Sequence, residues 1–591
     1  MTIFTPSVTF SEKVKCRNER TALIYADPHN PLRHLQRGII HFDLGFPDLA
    51  AADAYRALTL FDAVVDPESS EYEARENMDL VHDLSKLDLN ASTKTTGSGN
   101  QDFLTENSVG TEDNFSESDS LFQPVTKETY EKQIRDVYIL LVTSLVQCRC
   151  MRDAYEFCSQ ALALPECASP ETGDYKVFEK QLDIIKGSMK PSQNTKMDDR
   201  AEVNETTVDP SRLDAQGYAR RVLYPWNTFE PDRESPETLN LLNQRLKKIA
   251  PKCEVRTVAL PALHDSSKPN QDEVSIQLGV VATEDIKPGE VILRETSLLT
   301  ATNRLHDDLC DACNSRLPDL SEDVRPVACD ECFDTVFCSE QCHDMAQSIY
   351  HPAMCGRDGL ETIGRDIPDP RDKADYLYLL LVGRAIAMAA TQNIHPLELP
   401  EIKYIWGDFH DLDELVTFAD EQTGDLLPLP KSATLPFSFH LNILQPMRIL
   451  EEMGIDPFVN VQFYDTWVLN TMYAKFRGTA SGRLSTWDGG PEVCAVHPLW
   501  CLANHSCDPN VKWEWGGEIT FTARTDDQKA VWGDSKVMKQ NTFGIKKGDE
   551  ILNHYCDIGL NVKERREWAE GALGGICRCH RCVWEAEQAN P

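Results

Sequence analysis

The chain has 591 residues, and its 59 Lys and Arg face 95 Asp and Glu, which gives a net charge of −36. This balance argues against a general nucleic-acid binder, because such proteins present a basic face to phosphate, whereas it would suit a basic protein partner. The sequence contains no apolar run long enough to span a bilayer and no apolar segment behind a basic start, so we expect neither a membrane span nor a secretory signal.

The N-terminal region shows two pairs of helical patterns. In residues 33–66 and again in residues 129–165, apolar and small residues recur at helical spacing in two runs, and Gly45 and Pro47 separate the runs of the first pair. The second run of each pair carries Asp-Ala-Tyr. The pairs resemble tetratricopeptide-type helix pairs, although stable stacks usually need at least three repeats. A plain helical bundle is the alternative.

Two polar stretches accompany this helical region, which we expect to cover residues 1–186. The insert at 67–128 is rich in small polar and acidic residues, so it buries too little apolar surface to offset its chain entropy and is predicted to be disordered. Residues 187–212 are predicted to be a linker. From residue 213 onward the sequence is globular in character, with strands predicted near 274–282 and 290–295 and helices near 372–392, 440–453 and 460–476.

A cluster of potential metal ligands lies between Cys310 and Cys355, a segment that holds seven of the 20 cysteines. Without a secretory signal we expect no disulfide framework, and clustered thiols in a reducing compartment usually hold metal. The ligands form four closely spaced pairs: Cys310 and Cys313, Cys329 and Cys332, Cys338 and Cys342, His351 and Cys355. Eight such donors suit two closed tetrahedral zinc sites, which predicts structural zinc in a nuclear or cytoplasmic protein.

This spacing resembles that of the MYND zinc finger, including Phe337 just before Cys338. The resemblance implies interleaved pairing, with Cys310, Cys313, Cys338 and Cys342 on one ion and Cys329, Cys332, His351 and Cys355 on the other. MYND fingers mostly bind peptide segments of other proteins. A structural insert that binds no partner is the alternative.

A second constellation combines distant segments of the chain. Residues 502–510 are LANHSCDPN and residues 548–557 are GDEILNHYCD, while three further thiols follow at Cys577, Cys579 and Cys582. These three lack the fourth ligand of a tetrahedral site, and Cys507 is the natural donor. One ion would then pin the C-terminal segment across the 502–510 loop and close a pocket.

These motifs resemble the SET domain of protein-lysine methyltransferases. The run from Asn504 to Cys507 with Pro509 and Asn510 matches the family signature, residues 548–555 match its second motif, and the cysteine trio matches its post-SET segment. Residues 278–295 resemble the first SET strands. A MYND finger placed directly after those strands is the arrangement of the SET-and-MYND family.

The resemblance implies a role for individual residues. Asn504, His505 and the backbone near Gly279 would contact S-adenosylmethionine, and Tyr555 would be the catalytic tyrosine at the methyl-transfer channel. Asn470 resembles an asparagine that reaches the cofactor in SET-and-MYND enzymes, with a buried core asparagine as the alternative. The cofactors implied are S-adenosylmethionine and three Zn²⁺ ions.

The implied fold is α+β, with an all-α N-terminal region before a β-rich, pseudoknotted SET core that carries the finger and a helical insert. The implied segments are the first part of the SET domain at 213–309, the finger at 310–355, the helical insert at 356–460, the SET core at 461–570 and the post-SET tail at 571–591. Residues 516–542 exceed the usual spacing between the two SET motifs, which predicts a surface loop there.

The implied function is transfer of a methyl group to a lysine of a histone or non-histone protein. The alternative is a non-catalytic adaptor, whose helical repeats and finger bind peptides on a SET scaffold. The segment Ser275–Gly279 favours the adaptor because it lacks the basic residue and extra glycine usual in the family, whereas Asn504, His505 and Tyr555 favour the enzyme. A DNA-binding regulator is disfavoured, because the chain is acidic and its zinc sites lack a basic recognition helix.

Overall fold

The chain divides into two compact units, Met1–Asp214 and Ala215–Pro591. The computed structural model describes residues 8–65, 125–165, 175–189, 208–261, 274–302, 308–319, 325–332, 334–363, 373–407, 409, 427, 433–484, 491–533, 544–573 and 575–589. Residues 67–124 of the predicted disordered insert and residues 190–207 of the predicted linker therefore lie outside the described residues. The mixture of helices and small sheets confirms the α+β class.

All regular secondary structure in the described residues of the first unit is helical, which confirms the all-α N-terminal region. Its helices are α1 (Phe10–Ala26), α2 (Pro31–Asp43), α3 (Pro47–Val65), α4 (Lys127–Gln147), α5 (Met151–Ala163) and α6 (Tyr175–Gly187). The predicted pairs correspond to α2–α3 and α4–α5. Gly45 adopts a φ of 76° between α2 and α3, a conformation that favours glycine, and Pro47 begins α3. The tetratricopeptide-type relationship stays a prediction.

A buried charge network joins the first three helices. Asp53 on α3 accepts two hydrogen bonds from the Arg37 guanidinium, at 2.9 and 2.5 Å, and its Oδ2 lies 2.9 Å from His41 Nδ1. Arg17 donates to the other nitrogen of His41 at 3.1 Å, and all four side chains are almost fully buried. Burial alone would raise the pKa of Asp53, but Arg37 and His41 hold it well below its usual range. Asp53 is therefore the charged centre of this packing.

Replacing Asp53 by Asn is expected to destabilise α2 and α3 by about 3–5 kcal/mol, because the Arg37 guanidinium would stay buried without a carboxylate. Hydrogen–deuterium exchange of peptides from these two helices measures the effect locally. Asp62→Asn, which removes an exposed acid from the same helix, is the matched control. Equal protection of the helices in Asp53→Asn and the wild type would contradict this prediction.

The second unit contains small antiparallel sheets. Its described strands are β1 (Gln216–Arg220), β2 (Cys253–Pro261), β3 (Val274–Ala282), β4 (Val291–Glu295), β5 (Thr300–Thr302), β6 (Val327–Ala328), β7 (Val336–Phe337), β8 (Thr434–Ser438), β9 (Ala480–Leu484), β10 (Pro491–Val496), β11 (Val511–Trp515) and β12 (Ile519–Ala523). The strands pair in the orders β1–β8, β5–β10–β9, β11–β12–β4, β2–β3 and β6–β7. The strands predicted near 274–282 and 290–295 are β3 and β4.

Helices lie between and after these strands. The described helices of the second unit are α7 (Pro236–Ile249), α8 (Glu340–Ile349), α9 (His351–Met354), α10 (Lys373–Gln392), α11 (Pro400–Lys403), α12 (Gln445–Glu452), α13 (Val461–Tyr464), α14 (Thr466–Thr479), α15 (Val562–Leu573) and α16 (His580–Ala589). The predicted helix near 460–476 is two helices, because Asp465 caps the start of α14. None of the described helices is both long and apolar enough to cross a membrane.

The surface loop predicted at 516–542 is wrong over its first part. Residues Ile519–Ala523 form β12, the central strand between β11 and β4. Ile519 and Phe521 are at most 1% exposed, so this strand fills the core and does not cover the surface. Apolar and polar residues alternate from Ile519 to Ala523, which is the pattern of a half-buried strand. The loop prediction used only the spacing between the two SET motifs and did not take this pattern into account.

The hydrophobic core of the second unit reaches both candidate site segments. It includes Leu278 and Val280 of β3, Phe521 of β12, Trp500 and Ile551. Trp500 stacks on Phe521 with ring centroids 5.9 Å apart. Trp500 lies two residues before Leu502, the start of the 502–510 loop. Because Trp500 and Ile551 are anchored in the same core, the 502–510 loop and the 549–555 segment are held beside each other.

Candidate active site and metal centres

The two predicted SET motifs cross at the centre of the site. A parallel bridge pairs His505 with Asn553. The Asn553 N–H donates to the Asn504 carbonyl, and the Ser506 N–H donates to the Asn553 carbonyl, both at 2.8 Å. The Tyr555 N–H then donates to Nδ1 of the His505 ring at 3.0 Å. The predicted residues Asn504, His505 and Tyr555 are thus held together by backbone pairing.

Strand β3 forms the other side of this crossing. The Ile551 N–H donates to the Val280 carbonyl at 2.7 Å, and the Ala282 N–H donates to the Asp549 carbonyl at 2.9 Å. Gly279, the predicted cofactor-contacting position, lies next to Val280 in this strand. Three segments that are far apart in the sequence therefore meet around Gly279, Asn504 and Tyr555.

The Asn504 carboxamide has a fixed orientation. Its Nδ2 donates to the Leu278 carbonyl at 2.9 Å and to Glu550 Oε1 at 2.7 Å. Both partners are acceptors, so the nitrogen faces them and Oδ1 is left to accept from another group. A Cβ on Gly279 would lie 2.8 Å from Glu550 Oε1 and 3.0 Å from Asn504 Nδ2, which explains the glycine. Sequence reasoning missed Glu550, although it belongs to the second motif.

Burial of the Glu550 carboxyl raises its pKa, and its hydrogen bond from Asn504 opposes that rise. Burial lowers the pKa of His505 to about 4, so its imidazole is neutral near pH 7. Because Nδ1 accepts from Tyr555, the ring proton of His505 lies on Nε2, which is 3.3 Å from Cys507 Sγ.

The Tyr555 hydroxyl lies at the same crossing. It donates to the Ala503 carbonyl at 3.0 Å, and the tyrosine ring lies 5.1 Å from the His505 ring, measured between centroids. With its hydrogen directed at Ala503, the hydroxyl oxygen retains lone pairs that can accept from a substrate group.

A third group of thiols joins the 502–510 loop to the C-terminal segment. The sulfur atoms of Cys507, Cys577, Cys579 and Cys582 all lie within 4.8 Å of one another. The Cys507 and Cys582 sulfur atoms are 3.3 Å apart, and Arg581 donates to the Cys507 carbonyl at 2.8 Å. Four thiols in this arrangement are the donor set of a structural zinc site. Their role as zinc ligands stays a prediction.

A buried arginine accompanies this group and was missed by sequence reasoning. Arg565 of α15 is fully buried, and its guanidinium donates to Cys582 Sγ at 3.7 Å and to Glu585 at 2.5 Å. Four thiolates around one divalent ion carry a net negative charge, which a buried guanidinium balances. Arg565, Ala569 and Leu573 follow one another at intervals of four residues and so share one face of α15. An arginine in line with two apolar residues is the sequence pattern that could have revealed its burial.

The cysteines between 310 and 355 form two more groups. One contains Cys310, Cys313, Cys338 and Cys342, and the other contains Cys329, Cys332, His351 and Cys355. In the first group the Cys338 and Cys342 sulfur atoms are 3.6 Å apart, and in the second the Cys332 sulfur lies 3.7 Å from His351 Nε2. These are the interleaved sets that the resemblance implied, and both have the donors zinc prefers. Zinc binding at either group stays a prediction.

An arginine of α10 holds this segment in place. The Arg384 guanidinium lies 3.7 Å from the centroid of the Tyr350 ring. Tyr350 directly precedes His351, a candidate metal ligand. Arg384 also donates to Asp311 Oδ2 at 3.2 Å, and the Tyr350 hydroxyl donates to the same carboxylate at 2.7 Å. Asp311 lies between Cys310 and Cys313, so this contact joins both thiol groups to α10.

Asn470 lies on α14 of the second unit. It is 4% exposed and lines a cleft with Asp375 of α10, Asn442 and Tyr473, among other residues. The lining of this cleft includes none of Asn504, His505 or Tyr555. The structure therefore gives Asn470 a position in helix packing, and its cofactor role stays a prediction.

A comparison with protein families matches residues 277–556 to the SET domain. The matched range begins in β3, includes both thiol groups of the 310–355 segment and ends at Cys556, directly after Tyr555. It therefore contains each segment that meets at the crossing of the two motifs.

Proposed function

We propose that this chain, whose residues 277–556 form a SET domain, is an S-adenosylmethionine-dependent protein-lysine N-methyltransferase. SET domains in general transfer methyl groups from this cofactor to lysine. The observation that carries the proposal is the crossing of the two motifs, which holds Tyr555 against His505 and directs its hydroxyl to the Ala503 carbonyl, next to Asn504. The substrate is a protein with an accessible lysine, histone or non-histone.

Three features of the site fit the cofactor. The missing Cβ of Gly279 leaves room for the Asn504 carboxamide and the Glu550 carboxyl, which a side chain there would displace. Asn504 Oδ1 is oriented to accept from a donor such as an amino group, and neutral His505 adds no positive charge beside a sulfonium. When bound, the cofactor supplies an activated methyl group on that sulfonium, so no covalent enzyme intermediate is needed.

Tyr555 would orient the substrate amine. A free lysine has a pKa near 10.4, so a site that accepts the neutral amine must disfavour the ammonium, as burial beside a cation does. Since the Tyr555 hydroxyl donates to Ala503, its oxygen would accept an N–H of the amine. The nitrogen lone pair is then left to point at the methyl group.

We propose that the chain belongs to the SET-and-MYND type, with three structural zinc ions and a tetratricopeptide-like N-terminal region. Each of the three donor groups offers four protein ligands, which leaves no open position for catalysis by zinc. Metal analysis of the purified chain is expected to find three zinc ions per molecule.

Calorimetry with S-adenosylhomocysteine, the reaction product, tests the proposal first. Binding of one equivalent supports an enzyme, whereas an adaptor need not bind it. Incubation with labelled cofactor, histones and a cell lysate then identifies the methylated protein. A folded, zinc-loaded chain that neither binds S-adenosylhomocysteine nor transfers label would contradict the proposal.

The adaptor remains the second candidate because residues 275–279 lack a basic side chain. A basic side chain from another segment lies beside this strand. Arg233 donates to Gln277 Oε1 at 2.6 Å, and its guanidinium carbon lies 4.7 Å from the centroid of the Trp406 ring. Gln277 and Gly279 point to the same face of β3, since side chains alternate along a strand. A cation therefore lies near the proposed cofactor position, which favours the enzyme over the adaptor.

Replacing Glu550 by Ala is expected to weaken S-adenosylhomocysteine binding roughly tenfold, because the Asn504 carboxamide would lose the acceptor that fixes its orientation. Glu550→Gln keeps an acceptor oxygen and is expected to bind close to wild type. Calorimetry measures both affinities. Glu518→Ala, which removes a surface acid from the β11–β12 hairpin, is the control, and unchanged affinity in Glu550→Ala would contradict the role.

A further inference from the structure

A fifth thiol lies beside the third metal centre. Cys556 directly follows Tyr555, is 3% exposed and belongs to the same buried cluster as Cys507, Cys577 and Cys582. Its sulfur, the Cys507 sulfur and a ring nitrogen of His505 all lie within 4.8 Å of one another. A closed zinc site takes four ligands, so Cys556 is surplus to the proposed third centre.

The geometry points to a second, inhibitory metal site formed by His505, Cys507 and Cys556, which takes a thiophilic divalent cation such as Zn²⁺ present in excess. Thiolate and imidazole are the donors such cations prefer, and Cys507 would bridge the two ions. His505 Nε2 lies 3.3 Å from Cys507 Sγ. This separation is close to the roughly 3.5 Å expected between nitrogen and sulfur ligands of one tetrahedral zinc ion.

The site has a way in from solvent. Cys507 and Cys556 are buried, whereas His505 is only half-buried. Three protein donors leave the fourth position of a tetrahedral ion to water, on the side of His505. An excess cation would therefore enter through the space that the proposed cofactor site needs.

Metal binding would also displace Tyr555. His505 Nδ1 accepts the Tyr555 N–H at 3.0 Å, and the ring proton lies on Nε2. A cation at Nε2 needs a lone pair there, so the proton would move to Nδ1 and face the Tyr555 N–H. Two donors cannot bond to each other, and Tyr555 would shift. Inhibition by this shift of Tyr555 rests on the proposed function, whereas the metal binding does not.

Co²⁺ added to the zinc-loaded full chain tests the site, because Co²⁺ binds such donors more weakly than Zn²⁺ and leaves the structural ions in place. We expect one added equivalent, with sulfur-to-cobalt charge-transfer absorption and competition with S-adenosylhomocysteine. In Cys556→Ala the added equivalent is expected to bind at least roughly tenfold more weakly. Cys501→Ala, a nearby half-buried thiol outside the group, is expected to bind it like wild type.

Metal analysis first establishes that each variant retains its structural zinc, and Cys556→Ser replaces Cys556→Ala if the latter does not. Equal Co²⁺ affinity in the Cys556 variant and the wild type overturns the inference, as does an added equivalent without sulfur absorption in the wild type. If the wild type takes the added ion with that absorption but binds no S-adenosylhomocysteine, the proposed function fails and the metal site stands.

Discussion

Tyr555→Phe is expected to lower kcat by roughly 10²-fold or more, the usual cost of removing a positioned hydrogen-bonding group from a reaction centre. Affinity for S-adenosylhomocysteine is expected to stay close to wild type. The split arises because the substitution removes one oxygen atom. That oxygen accepts from the substrate amine in the proposed mechanism, and it contacts the chain through Ala503.

Two other contacts of Tyr555 do not depend on its hydroxyl. Its N–H bonds to His505 Nδ1, and its ring lies against the His505 ring. Phenylalanine retains both, so His505 and Asn504 keep their positions for the cofactor. An effect confined to turnover therefore separates a role in chemistry from a role in packing.

Turnover with labelled cofactor and calorimetry with S-adenosylhomocysteine measure the two quantities, and mass spectrometry of the product counts the methyl groups. A changed number of methyl groups also supports the role, since the hydroxyl limits the room beside the amine. Tyr404→Phe, at a partly buried tyrosine packed on the same core, is the matched control. Wild-type turnover and product pattern in Tyr555→Phe would contradict the role of Tyr555.

The thiol pairs could be predicted because their members are marked by residue type and short spacing, whereas the interleaved grouping of the pairs and the meeting of the two motifs followed from the resemblance to the MYND and SET families. Two cysteines with one to three residues between them can reach the same ion from a turn or a helix face, so each pair could be recognised without knowledge of the fold. Helix pairs such as α2 and α3 were predictable for a similar reason, since apolar periodicity depends on local geometry alone.

Side-chain pairs between distant segments were not predictable. The Glu550 contact to Asn504, the Arg565 contact to Cys582 and the Arg233 contact to Gln277 each join residues whose proximity only the fold creates. Charged residues are common in any sequence, so none of the three is distinguished by type.

Repetition of a short motif was also a weak guide. The sequence Asp-Ala-Tyr occurs in α3 and α5, yet Asp53 is fully buried against Arg37 whereas Asp153 is half-buried. The sequence around Asn470 likewise does not settle its contacts, because they depend on which face of α14 packs inward. Local sequence does not fix that choice when most of the helix is buried.

Cys579→Ser is expected to lower the zinc content from three ions per chain to two and to abolish S-adenosylhomocysteine binding. Structural zinc contributes about 10–16 kcal/mol to the folding of small sites at neutral pH. Without the ion, the Cys507 sulfur would no longer link α16 to the 502–510 loop, which leaves the weaker hydrogen bond from Arg581 to the Cys507 carbonyl. Asn504 and His505 lie in that loop and would lose their fixed positions.

Metal analysis and calorimetry on the same sample check both parts of this expectation. Cys16→Ser, at a half-buried thiol of the first unit outside the metal groups, is the control and should retain three ions. A double variant makes the test more specific, because the Cys556 sulfur lies within 4.8 Å of the Cys507 sulfur and could replace a missing ligand. If Cys579→Ser retains three ions but Cys579→Ser with Cys556→Ala holds two, Cys556 is a reserve ligand. Three ions in both variants would show that the C-terminal thiols hold no metal together with Cys507.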